Sequence, residues 1–111
     1  MSTEQEACVV LCTAPDLAVA ETLARTLIDE HLAACVNLLG PVQSIYRWNG
    51  AVESATEVQL VIKTLAARFP QLAARVRALH PYEVPELLML RVEAGDADYL
   101  AWIQQQISSV P

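Results

Sequence analysis

Val42-Gln43-Ser44-Ile45-Tyr46-Arg47-Trp48 runs into Asn49-Gly50, and Ala51 to Thr64 runs out of it. Asn-Gly between two β-rich runs predicts a hairpin closed by a type I′ turn, because both central residues must take positive φ. A two-residue turn also sets the register. Unless a bulge intervenes, Trp48 lies opposite Ala51 and Tyr46 opposite Glu53. The clearest part of the return strand alternates. Val58, Leu60, Ile62 and Thr64 take one face, and Glu57, Gln59, Val61 and Lys63 take the other. Tyr46, Trp48 and Glu53 therefore share a face, and by parity Glu57 and Lys63 lie on it further along. The hairpin is too long for a domain of this size to cover, so its outer part is expected to project and pack on a neighbour.

Upstream of the hairpin, Ala33 to Leu39 reads as the start of the same strand, and Gly40-Pro41 marks a bulge or bend within it. Ala7 to Thr13 is a short apolar run, read as a central strand. Ala14-Pro15-Asp16 breaks it. A helix follows with Ala20, Leu23, Ala24, Leu27, Ile28 and Leu32 on one stripe. Downstream, Leu65 to Leu79 reads as a second helix beginning around Phe69-Pro70, with Phe69, Leu72, Ala73, Val76 and Leu79 inward. A fourth strand is expected over Glu86 to Val92. Gly95-Asp96 then caps a helix carrying Tyr99, Leu100, Ile103 and Ile107. The order is β-α-β-β-α-β-α. It predicts an α+β fold, the ferredoxin-like split βαβ sandwich plus a C-terminal helix, with one face of the sheet left uncovered. One domain over residues 1–111 is expected, with 1–6 and 108–111 frayed.

The 111 residues leave no room for two cores. A hydrophobic fraction of 54% is high for so small a chain, and it calls for burial in a membrane or against another subunit. No apolar run approaches the roughly 20 residues of a spanning helix. The opening Met1-Ser2-Thr3-Glu4-Gln5-Glu6 is polar and acidic, unlike a signal peptide. Burial between subunits is the reading that remains. With a net charge of −6 and seven scattered basic residues, neither nucleic acid nor an anionic membrane is an expected partner. Three cysteines, Cys8, Cys12 and Cys35, with apolar neighbours suggest reduced thiols.

His80-Pro81-Tyr82-Glu83-Val84-Pro85-Glu86 connects the second helix to the last strand. Each proline forces its predecessor out of the helical region, so the segment is a stiff connector holding an imidazole, a phenol and carboxylates in place. With this block in hand the chain resembles the CutA family of divalent-ion tolerance proteins. Val10 to Asp16, Leu32 to Asn37, Ser44 to Gly50, Glu57 to Thr64, His80 to Leu87 and Asp98 to Trp102 carry the resemblance, in order along the chain. It implies a ferredoxin-like protomer in a tight homotrimer similar to the PII signalling trimers. It further implies a cytoplasmic location in bacteria and a link to copper and other divalent cations.

Carried over residue by residue, Cys12 and His80 are the implied metal ligands, with Glu83 and Glu86 as possible support for a harder ion. Family members with a described site have a second histidine directly before the matched one; here that position is Leu79. Cys8 cannot substitute, since four residues of strand separate it from Cys12 by about 13 Å. Tyr46, Trp48, Glu57, Lys63, Tyr82 and Glu86 are expected to meet at a subunit cleft, with Cys12 nearby, in a setting suited to a small polar ligand. A Glu57–Lys63 ion pair tying the hairpin to a neighbour, with Trp48 as an interface anchor, is the structural alternative. No orienting group for a Cys12–His80 catalytic pair is legible, and the chain has no phosphate loop or nucleophile elbow, so no enzyme is expected. Three classes follow: a trimeric metal-responsive protein, a PII-like trimer binding a small anion or nucleotide in the cleft, or a structural adaptor.

Overall fold

The computed structural model describes residues 6–108. The elements are β1 (Ala7–Ala14), α1 (Leu17–Asp29), β2 (Cys35–Trp48), β3 (Ala51–Leu65), α2 (Phe69–Leu79), β4 (Leu88–Arg91) and α3 (Ala97–Ser108). A 3-10 turn over Ala66–Arg68 leads into α2. The four strands form one antiparallel sheet in the order β2-β3-β1-β4, the split βαβ arrangement. The expected fraying falls mostly on residues outside the described range. Glu6 itself is tied down: its carbonyl accepts from Ala66 N, and its carboxylate pairs with Arg91.

Alternation sorts the sheet into two faces. Cys8, Val10, Cys12 and Ala14 of β1 join Leu60 and Ile62 of β3 under α1 and α2. Ala20, Leu23 and Leu27 close that core from α1, and Leu72 and Val76 close it from α2. Thr64 is the buried polar residue of this layer; its Oγ1 donates to the Leu32 carbonyl at 2.7 Å. α1 starts at Asp16, whose Oδ1 accepts from Val19 N at 2.8 Å. It ends with His31 in the left-handed region (φ 57°), and both Leu32 N and Ala33 N donate to the Leu27 carbonyl. Those two bonds commit Leu32 and Ala33 to the helix end, so β2 begins at Cys35 and not at Ala33. His31 Nδ1 meets the Gln106 carbonyl at 2.9 Å, so the imidazole serves the end of α3 and not that of α1.

The opposite face is partly covered, which corrects the expectation that this chain leaves it bare. α3 lies across one end, where Ile103 and Ile107 pack on Ala7, Ala34 and Leu65. Asp96 caps this helix, its Oδ2 accepting from Tyr99 N at 3.0 Å. Beyond α3 the face is open. Leu88 and Leu90 pair with Leu11 and Val9, and with Leu39 they stand about half exposed. β4 has four residues, not the seven expected, because it pairs only with Cys8–Leu11 and the Pro85 loop holds Glu86 and Leu87 outside the ladder.

β2 and β3 pair along their whole length and project as an arm, giving the protein a long axis of 46 Å. The turn is as expected: Asn49 has φ 50° and Gly50 φ 80°. Leu39 pairs with Gln59 and Val42 with Glu57, so Gly40 and Pro41 together face Val58. This bulge changes the parity of β2. Cys35, Asn37 and Leu39 lie on the open face before it; Val42, Ser44, Tyr46 and Trp48 lie on the same face after it.

Candidate functional site

β1 stops pairing with β3 at Ala14–Val58, and the arm continues alone. The loop from His80 to Leu87 fills the corner left beside the arm. His80 is buried, with both ring nitrogens engaged. Tyr82 N donates to Nδ1 at 3.1 Å, and Nε2 lies 2.7 Å from the Thr13 carbonyl. A nitrogen that accepts from an amide carries no proton, so the imidazole is the neutral Nε2–H tautomer, donating to Thr13. The Cys12 thiol reaches the same carbonyl, with Sγ at 3.6 Å. The Cys12 carbonyl accepts from Gln59 Nε2 at 3.0 Å.

The implied ligand pair is thus brought together at one acceptor, but neither group is free. Burial first, then the Glu86 and Glu57 carboxylates, push the Cys12 thiol up to about 12, against a lowering by its bond to Thr13. A thiolate ligand must be made against that environment, and His80 must give up a hydrogen bond to offer a lone pair. The two residues can take a metal ion only by giving up these bonds. The described residues contain no group of three or more His, Cys, Asp or Glu side chains arranged to hold one. Leu79 is partly exposed at the end of α2.

Five of the six expected cleft residues do meet. Tyr46 and Trp48 of the arm, Glu57 of β3, and Tyr82 and Glu86 of the loop line one cavity of about 590 Å³. Glu83, expected only as metal support, lines it as well, beside Ser44, Ile45, Val84 and Thr13. Glu57 is only 7% exposed, and its Oε2 accepts from the Tyr82 hydroxyl at 2.6 Å. Burial, then that bond to Glu57, raises the Tyr82 phenol, which stays a donor. The Tyr82 ring also tilts against His80 with centroids 4.6 Å apart.

Lys63 does not join them. It stands six residues further along β3, about 20 Å of strand, where its Nζ bonds Asn37 Oδ1 and lies 4.0 Å from Cys35 Sγ. The expected Glu57–Lys63 pair is therefore not formed within the chain, and among the described residues no Lys, Arg or His lines the cavity. The part of the site that sequence reasoning missed is the Thr13 carbonyl. A backbone oxygen leaves no residue-type signal; only Pro81, which turns the chain at His80, points toward it.

The family described as CutA1 divalent ion tolerance protein matches residues 8–106. The divalent-cation tolerance protein CutA of Thermus thermophilus is 47% identical over 97 residues, spanning 87% of this chain and 94% of that protein. The crystal structure of CutA from Xylella fastidiosa superposes with a TM-score of 0.90 at 42% identity, over 92% of this chain and 98% of that one. A protein of Archaeoglobus fulgidus described as periplasmic divalent cation tolerance protein CutA superposes at 0.89 with 35% identity, over 91% of this chain and 98% of that one. With the match running from β1 to the last turn of α3, the chain belongs to the CutA1 divalent ion tolerance family.

Proposed function

We propose that this protein acts in tolerance of divalent metal ions as a cytoplasmic homotrimer without enzymatic activity, and that copper is among the ions it takes. Relatives named for divalent-cation tolerance support the role. The open sheet face, with Leu39, Leu88 and Leu90 exposed, supports self-association. Three free cysteines suit a reducing compartment. None of the described helices is long and apolar enough to cross a membrane.

The observation that carries the metal reading is the convergence of Cys12 Sγ and His80 Nε2 on the Thr13 carbonyl. Thiol and imidazole side by side are a ligand pair suited to copper. Binding through them is weak, since it costs a thiol proton and two hydrogen bonds, and it strengthens as pH rises. Competition against a chelator of known affinity tests this, on wild type, Cys12→Ser, His80→Ala and Leu79→His. Wild type should bind weakly, the first two variants should lose binding, and Leu79→His should tighten it. Unchanged affinity in both Cys12→Ser and His80→Ala places copper elsewhere. The alternative ligand class, a small anion in the cleft, is disfavoured by a lining that holds three carboxylates and no cation.

A further inference from the structure

Cys35 opens β2, and its register partner across the ladder is Lys63 of β3. The two side chains meet. Lys63 Nζ lies 4.0 Å from Cys35 Sγ, and its bond to Asn37 Oδ1 holds the amine on that side of the ladder. The Tyr99 hydroxyl of α3 reaches the same sulfur. The other thiols differ in place and character. Cys8 and Cys12 lie in the helix-side core, on the reverse of the sheet, where burial pushes them up to about 11 and about 12. Cys35 is the half-buried thiol, so it is the one of the three that a small oxidant meets first. A sulfenic acid formed there has no thiol of its own chain on that face to condense with, and the group already in contact is a primary amine. Sulfenic acids condense with nitrogen as well as with thiols.

We propose that Cys35 and Lys63 form a reversible covalent crosslink, a sulfenamide, when the protein meets a hydroperoxide. In the first step the Cys35 sulfur attacks the peroxide. An S–O bond forms and the O–O bond breaks; sulfur is oxidised by two electrons, and the other peroxide oxygen leaves as water or alcohol with the thiol proton. In the second step the unprotonated Lys63 amine attacks that sulfur. The S–N bond forms and the S–O bond breaks, and the hydroxide leaves as water with a proton from the amine. An external thiol cleaves the S–N bond to a mixed disulfide and the free amine, and a second thiol then restores Cys35. Both residues belong to one chain and to neighbouring strands. Association of copies over the open face therefore neither brings the two atoms together nor parts them, and only the peroxide has to enter. The bond would pin the root of β2 to β3 beside α3.

Peptide mapping by mass spectrometry, on the assembled protein before and after hydrogen peroxide, tests the proposal. In wild type the peptides holding Cys35 and Lys63 should appear joined, lighter by two hydrogens than their sum, and excess dithiothreitol should separate them. Cys35→Ser should give no joined pair. Lys63→Arg keeps a positive charge beside the sulfur but lacks the nucleophilic amine, so it should stop at oxygen adducts of Cys35. Cys12→Ser should crosslink as wild type does, which separates this site from the copper ligands. Wild type unfolded in denaturant should crosslink at least about tenfold less, since the reaction depends on the two groups being held together. Oxygen adducts of Cys35 alone in wild type, a joined pair that lacks either residue, or an undiminished yield in the unfolded chain overturns the assignment.

Discussion

The Thr13 carbonyl joins three parts of the chain that are distant in sequence: β1 through Cys12, the loop through His80 and, by the neighbouring Cys12 carbonyl, β3 through Gln59. Its surroundings make alkaline pH the condition to watch. Burial lifts Cys12 from 9.0 to about 12, and it lifts Cys8 to about 11 against the opposing pull of Arg91. An acid whose folded value is raised favours the folded state fully below the unfolded value, and that contribution fades as pH climbs toward the folded one. The melting temperature should therefore fall between about pH 9 and 11 in reducing buffer. Cys12→Ala should fall less steeply by circular dichroism; parallel curves would show that the Cys12 thiol does not titrate in this way. Tyr82→Phe isolates the other buried contact. It strips Glu57 of its donor and should cost about 1–3 kcal/mol in urea unfolding, the usual penalty for an unsatisfied buried polar group.

At the scale of elements, α3 is the part whose role the sequence concealed. Its stripe of Leu100, Ile103 and Ile107 is legible by periodicity, but which face of the sheet it covers depends on where the chain turns after β4. Ile103→Ala should destabilise by about 2–5 kcal/mol, as for other buried Ile truncations; a smaller loss by denaturant titration would show that α3 is loosely held. The hairpin was legible in full, since Asn49-Gly50 pins the register from within the segment itself. β4 was legible as a strand but not in length, because the Pro85 loop keeps Glu86 and Leu87 off the ladder and only Cys8–Leu11 of β1 are paired. The cavity residues were recoverable as types, and five of the six line one cavity. Lys63 went astray because parity places residues on a face and says nothing of how far along it they lie. The bond from the His80 ring to Thr13 was not legible, as it depends on a carbonyl 67 residues away.

For the whole molecule, the arm that stretches it to 46 Å and the open face beyond α3 make the isolated protomer an unfinished surface. Wild type should sediment as a trimer at micromolar concentration, and its melting temperature should rise with concentration. Leu90→Glu, a charge set on the open face, should shift the equilibrium toward monomer; a trimer that survives it would place the interface elsewhere. The bulge at Gly40 and Pro41 has a further consequence, for which sequence changes the arm can absorb. Two residues there span one of β3, and every side chain from Val42 to Trp48 takes its side from the turn beyond it. Losing a single residue between Leu39 and Val42 would leave one residue opposite Val58, the regular count, so Tyr46 and Trp48 would keep their face and their partners Glu53 and Ala51. A lone deletion in this part of the gene should thus be absorbed by the bulge, with the aromatic wall held where the turn sets it.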